Sequence, residues 1–271
     1  MAITSSDSYL NAAKQTINYS KIAAITTSAG SLRYTVFAAA GSFVPAGTLA
    51  GTANPGALFT PATTGFPAIN FSTGSGYISR IQYSNSVTGR IELWDKIYGL
   101  AISPLTTAVP FTITPTSPPS ITGRLINGND YSSLRLFVEI TTTMSATATT
   151  VQVTYTDAGG SSRSATATSS LSGFTAGRWV EIPLVTGGIG IQKIESVTIA
   201  GATNTNGAIN VIIARLLWSS PRINIAPGGD VHGIDKTGMP QIFPTSALVA
   251  TVVPEGTSTG LVDLAIEVAN A

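Results

Sequence analysis

Between residues 134 and 218 the chain keeps returning to one pattern: a short run in which apolar side chains alternate with small polar ones, closed by a turn of Gly, Asn or Asp. Leu134, Leu136, Val138 and Ile140 alternate, as do Val151, Val153 and Tyr155, and the turn Asp157-Ala158-Gly159-Gly160 follows. Successive side chains of an extended strand point to opposite faces, so a period of two lays each apolar set on one face of a sheet. The pattern predicts strands over 134–140, 149–156, 163–169, 178–184, 193–199 and 207–218. In the last of these, Ile209, Val211 and Ile213 interleave with Asn210, Ile212 and Ala214. Apolar groups on both faces predict a central strand covered on both sides. Short strands at this density, spaced by turn residues, predict a β-sandwich or jelly-roll-like domain.

The flanking sequence extends the same reading. Strands are expected over 32–37, 77–83 and 90–98, and the apolar runs 247–253 and 261–268 around Pro254-Glu255-Gly256 predict a closing hairpin over 247–268. A helix is expected over 6–15: Ser6 can cap it, Asp7 and Lys14 suit its two ends, and Tyr9, Leu10 and Ala13 share a face. So short a helix needs something to dock on, either its own domain or, as an arm, a neighbouring subunit. The expected fold class is therefore all-β, with sandwich or jelly-roll-like domains, a short N-terminal helical arm and long Pro/Gly-rich loops. The expected division is an arm over 1–16 and an N-terminal β region over 17–103 with a long loop at 38–68. A Pro-rich linker or edge strand over 104–121 and a C-terminal sandwich over 122–271 follow. Proline cannot donate to a sheet ladder, which is why Pro104, Pro110, Pro115, Pro118 and Pro119 mark the boundary.

Charge narrows the function. Only 10% of the 271 residues are charged, against about 25% in an ordinary soluble domain. The formal net charge is +1 and Lys and Arg are scattered singly, so no basic patch of the kind nucleic acid requires is expected. Faces of Thr, Ser, Ala, Gly and Asn can pack on copies of themselves without like-charge repulsion. Cysteine is absent, which excludes disulfides and thiolate metal sites. The run 209–218, interrupted by Arg215, falls far short of the roughly 20 apolar residues of a membrane span. The first residues carry neither the basic nor the apolar part of a signal peptide, so synthesis in the cytosol is expected.

Groups for chemistry are sparse. His232, the only histidine, lies between Asp230 and Asp235 and would be the sole suspect for a general base or half a metal site. Its Gly-rich surroundings favour a polar loop residue. Asp95, Glu139 and Glu181 are too far apart in sequence to be read as a catalytic pair. The run Gly187-Gly188-Ile189-Gly190 is read as a turn, since no helix or Lys-Ser/Thr follows it. Trp94, Trp179 and Trp218 abut apolar strand residues and are expected in the core rather than on a sugar platform. No catalytic, cofactor or metal residue is assigned. Arg135, Arg163, Arg178 and Arg215 suit interface hydrogen bonds, and the candidate interface residues are Tyr9, Leu10, Ala13, Lys14, Arg135, Arg178 and His232.

Several stretches resemble tailed-bacteriophage virion structural proteins: residues 5–15, 47–52, 92–98 (Glu92-Leu93-Trp94-Asp95-Lys96-Ile97-Tyr98), 151–157, 177–184, 194–198 and 237–242. The resemblance carries no catalytic motif and transfers no individual residue. It implies a capsid decoration (cement) protein on the outer shell, bridging subunits of the major capsid protein as a homotrimer and assembled in the host cytoplasm. The other readings are a neck, tail or baseplate component, a host glycan-binding module, and an enzyme built around His232.

Overall fold

The computed structural model describes residues 6–71, 74–105, 110–201 and 206–270. The capping expected of Ser6 and Asp7 lies outside the described side chains. The fold is all-β, of sandwich or jelly-roll-like type, with two short α-helices, Ser6–Asn11 and Ile234–Thr237. Among the described residues no helix is long and apolar enough to cross a membrane.

The chain divides into two compact units, one of residues 1–48, 60–95 and 217–271, the other of residues 49–59 and 96–216. In the second, Phe111–Ile113, Lys193–Gly201, Thr149–Thr156 and Ser162–Thr166 form an antiparallel sheet in that order. The strands Trp179–Ile182, Leu134–Thr142 and Ala208–Ser219 form a further antiparallel layer. The alternation read from the sequence fills the core with one face of each layer: Leu136, Val138 and Ile140 from one, Val151, Val153 and Val197 from the other. Each such side chain contributes about 1.5–3 kcal/mol on burial. Asn210 and Ile212 are buried as well, so the strand through them is covered on both faces. The Pro-rich stretch supplies the edge strand Phe111–Ile113, where a missing N–H is tolerated.

In the first unit the sheet order is Ala13–Ser20, Val262–Asn270, Gly76–Asn85 and Gly228–His232. Here Leu248–Pro254 pairs with Tyr34–Thr35 on one side and, on the other, with residues 89–95 of the strand Gly89–Ile102. A separate core gathers Tyr19, Ile78, Ile81, Ile91, Leu93, Val252, Leu264 and Ile266.

Four expectations change. The helix stops at Asn11, and Ala13 and Lys14 open a strand that pairs along its whole length with Val262–Asn270. The alternation of Gln15, Ile17 and Tyr19, with Ile17 and Tyr19 buried, outweighs the weak helical preference of so short a segment. The apolar runs near the C-terminus do not form a hairpin. Leu248–Pro254 pairs with residues of Gly89–Ile102, and Val262–Asn270 with Ala13–Ser20 and Gly76–Asn85. The strand expected over 32–37 shrinks to Tyr34–Thr35. Finally, the division falls at 48/49, 59/60, 95/96 and 216/217 rather than at 104–121, because the last strands pair with residues before 96.

Candidate functional site

Buried polar groups must be hydrogen-bonded and buried charges paired, or each costs several kcal/mol. A chain this poor in charge nevertheless buries many of its charged side chains, among them Lys21, Glu92, Asp95, Lys96 and Glu139. These buried clusters are the chemically richest places in the molecule.

In the second unit, Lys96 Nζ donates to Glu139 Oε1 at 2.8 Å and to Oε2 at 2.7 Å. Trp179 Nε1 donates to Oε1 at 3.0 Å, and Asn210 Nδ2 donates to Oε2 at 2.8 Å and to the Leu49 carbonyl at 2.8 Å. Glu139 and Asn210 face each other across adjacent antiparallel strands, which places both side chains on one sheet face. The Phe59 ring lies 4.4 Å from Nζ and Phe137 stacks on Trp179 at 5.2 Å, so the surroundings are aromatic and dry.

The first unit holds three more clusters. Glu92 Oε2 accepts from Arg33 Nε at 2.7 Å, Trp94 Nε1 at 3.2 Å and Thr251 Oγ1 at 3.0 Å. Asp95 accepts from Ser246 Oγ and from the Ala247 amide. Lys21 Nζ is within hydrogen-bonding reach of the carbonyls of Phe37, Ala39, Val44 and Pro45, at 3.0–3.3 Å. Burial pulls its pKa down to about 8, still above neutrality.

His232 is not the polar loop residue its sequence suggested. It ends the strand Gly228–His232, buried beside Tyr83 and Trp218, and its Nδ1 accepts from Trp218 Nε1 at 3.0 Å. That bond fixes the tautomer with the proton on Nε2, which lies 3.9 Å from Asp230 Oδ2. Burial pushes the imidazole pKa down, the Lys236 charge adds to the effect, and Asp230 and Asp235 oppose it. Among the described residues no group of three or more His, Cys, Asp or Glu side chains is placed to hold a metal ion.

The other interface candidates separate by burial. Leu10 is 68% exposed, and Ala13, Lys14 and Arg135 also face solvent. Tyr9 donates to Glu267 Oε1 at 3.0 Å and carries Lys14 Nζ 4.3 Å above its ring. Arg178 is buried and lies 3.3 Å above the Phe174 ring. Trp94, Trp179 and Trp218 are all buried, as expected.

Sequence reading missed an exposed apolar set in the first unit. Ile22 is 60% exposed, Phe43 67%, Ile225 82% and Leu261 45%. Ile22, Leu261 and Pro227 line one shallow groove, and Ile225 borders the neighbouring hollow with Pro227. Phe43 follows a turn tied back to Ser20 by the Ser42 amide. Ile22, Phe43 and Ile225 are single apolar residues outside the regular strands with no periodicity to mark them, while Leu261 heads the expected 261–268 run but lies one residue before the strand Val262–Asn270.

No protein family and no curated protein matches the chain. Among solved structures it is similar to VP2 of infectious bursal disease virus. The subviral-particle structure is 12% identical over 96% of this chain and 80% of that one, with a TM-score of 0.21. The Gt-strain structure is 13% identical over 95% and 80%, with a TM-score of 0.20. Scores this low do not establish a shared fold.

Proposed function

We propose that this chain is a non-enzymatic structural protein of a tailed-phage virion, a capsid decoration protein that binds the outer shell and bridges major-capsid subunits as a homotrimer. The observation that carries the reading is the set of exposed apolar side chains in the first unit, Ile22 and Leu261 in one groove, Ile225 at the hollow that shares Pro227 with it, and Phe43, on a chain with only 10% charged residues. A surface of this kind loses free energy in water and regains it by covering itself with another protein. Little charge is left to oppose close approach of like subunits. The sequence resemblance to phage virion proteins points the same way.

Particles assembled with Phe43→Asp or Ile225→Asp are expected to carry at least about tenfold less of the protein, equivalent to ~1.4 kcal/mol of binding. Unchanged occupancy of both variants would count against the reading. A quantitative gel of wild-type particles supplies the second check. A copy number comparable to that of the major capsid protein supports decoration, and a handful per particle assigns the chain to the neck, tail or baseplate.

A further inference from the structure

We infer that Lys96, Glu139 and Asn210 form an autocatalytic cross-linking site, and that the chain matures by joining Lys96 Nζ to Asn210 Cγ in an intramolecular isopeptide bond. The inference rests on what meets at one carboxylate oxygen. Glu139 Oε2 accepts from Lys96 Nζ at 2.7 Å and from Asn210 Nδ2 at 2.8 Å. A nucleophile, an amide that can lose ammonia, and a carboxylate able to carry a proton between them therefore touch in sequence.

The amide orientation is fixed by its surroundings. Both neighbours of Asn210 Nδ2, Glu139 Oε2 and the Leu49 carbonyl, are acceptors, so the nitrogen is the atom that faces the carboxylate. Asn210 Oδ1 is buried with no hydrogen-bond partner among the described residues. A native core seldom leaves such an atom unsatisfied without a reason, and a reacting group is one. Gly51 packs directly on this amide, where any Cβ would overlap the oxygen. A small cavity lined by Ala50, Gly51, Thr141 and Asn210 adjoins it and offers a way out for ammonia. All three side chains are buried, so water does not compete for the amide carbon.

The step balances without any added reagent. Lys96 gives a proton to Glu139, and the neutral amine attacks Asn210 Cγ to form the C–N bond. Glu139 returns the proton to Nδ2, the Cγ–Nδ2 bond breaks, and the ammonia that leaves takes up the remaining amine proton as ammonium. Glu139 touches both reacting nitrogens and is a catalytic residue in the strict sense. The aromatic walls hold the lysine in place and exclude solvent.

The test is the mass of the full-length purified protein under denaturing conditions. The expected result is a mass lower than the sequence mass by one ammonia, with a digest yielding a branched peptide that joins Lys96 to Asn210. Glu139→Gln, Lys96→Arg and Asn210→Ala should each restore the uncross-linked mass expected for that variant. A wild-type protein at full sequence mass after prolonged incubation would sink the inference, whether or not the variants fold. A mass lower by one water, with Lys96 joined to Glu139, would overturn it equally.

Discussion

At Lys21, one ammonium holds the turn around residues 37–45 together through the carbonyls of Phe37, Ala39, Val44 and Pro45. Lys21→Met keeps the apolar stem but leaves those buried carbonyls without a donor. The expected loss is about 3 kcal/mol in a urea denaturation midpoint analysis, the cost of a few unmade bonds at 1–3 kcal/mol each. His232 adds a pH dependence. Its folded pKa lies below the ordinary 6.5 because burial disfavours the charged ring. The unfolded chain then binds the proton more readily, so the stability contributed by the neutral imidazole is present above 6.5 and is lost as the pH falls through the folded value. The thermal midpoint should drop on acidification through that window, and His232→Gln should flatten the drop. An unaltered slope in the variant would show that other groups govern it. Neither residue was legible from its neighbours in sequence. The two aspartates beside His232 suggest a wet loop, and only the pairing of its strand with Gly76–Asn85 puts the ring against Tyr83 and Trp218.

Sequence and structure agree best where the apolar alternation is longest. The strand Thr149–Thr156 falls on the expected residues, and Leu134–Thr142 and Ala208–Ser219 differ from expectation by a residue or two at their ends. Short or irregular segments did worse. The expected helix over 6–15 lost its second half to the strand Ala13–Ser20, since the ladder to Val262–Asn270 offers that segment more than local propensity does. The long Pro/Gly-rich loop is not featureless: Ala57–Leu58 pairs with Gly99 and Tyr98, and Gly47 packs directly against the Phe37 ring. Any side chain at Gly47 would overlap that ring. Gly47→Ala is therefore expected to cost about 2 kcal/mol as an overpacking change. It should also speed protease cleavage between residues 38 and 48, with equal cleavage rates in the two proteins as the contrary result.

Across the whole molecule, the chain leaves the first unit at residue 49 and again at 96, and returns finally at 217. The first unit's sheet pairs residues from the two ends of the sequence, Ala13 with Asn270 and Ser20 with Asp263. It cannot close until nearly all of the chain is present, and such non-local pairing is slow to form. A chain truncated after Pro254 lacks the strand that lies between Ala13–Ser20 and Gly76–Asn85. Limited proteolysis of that truncation should digest the first unit while a resistant fragment from 96–216 persists, because that unit has its own core. Digestion of both at one rate would show that the two cores are not independently stable. The amino-acid sequence by itself determined the all-β class, the spans of the regular strands and the burial of the three tryptophans, because alternation and strand neighbours are local properties of the chain. Only the tertiary structure decided which strands pair and where the few charges go. Lys96, Glu139 and Asn210 stand 43 and 71 positions apart along the chain, and no local pattern records that the sheet face they share brings them to one carboxylate.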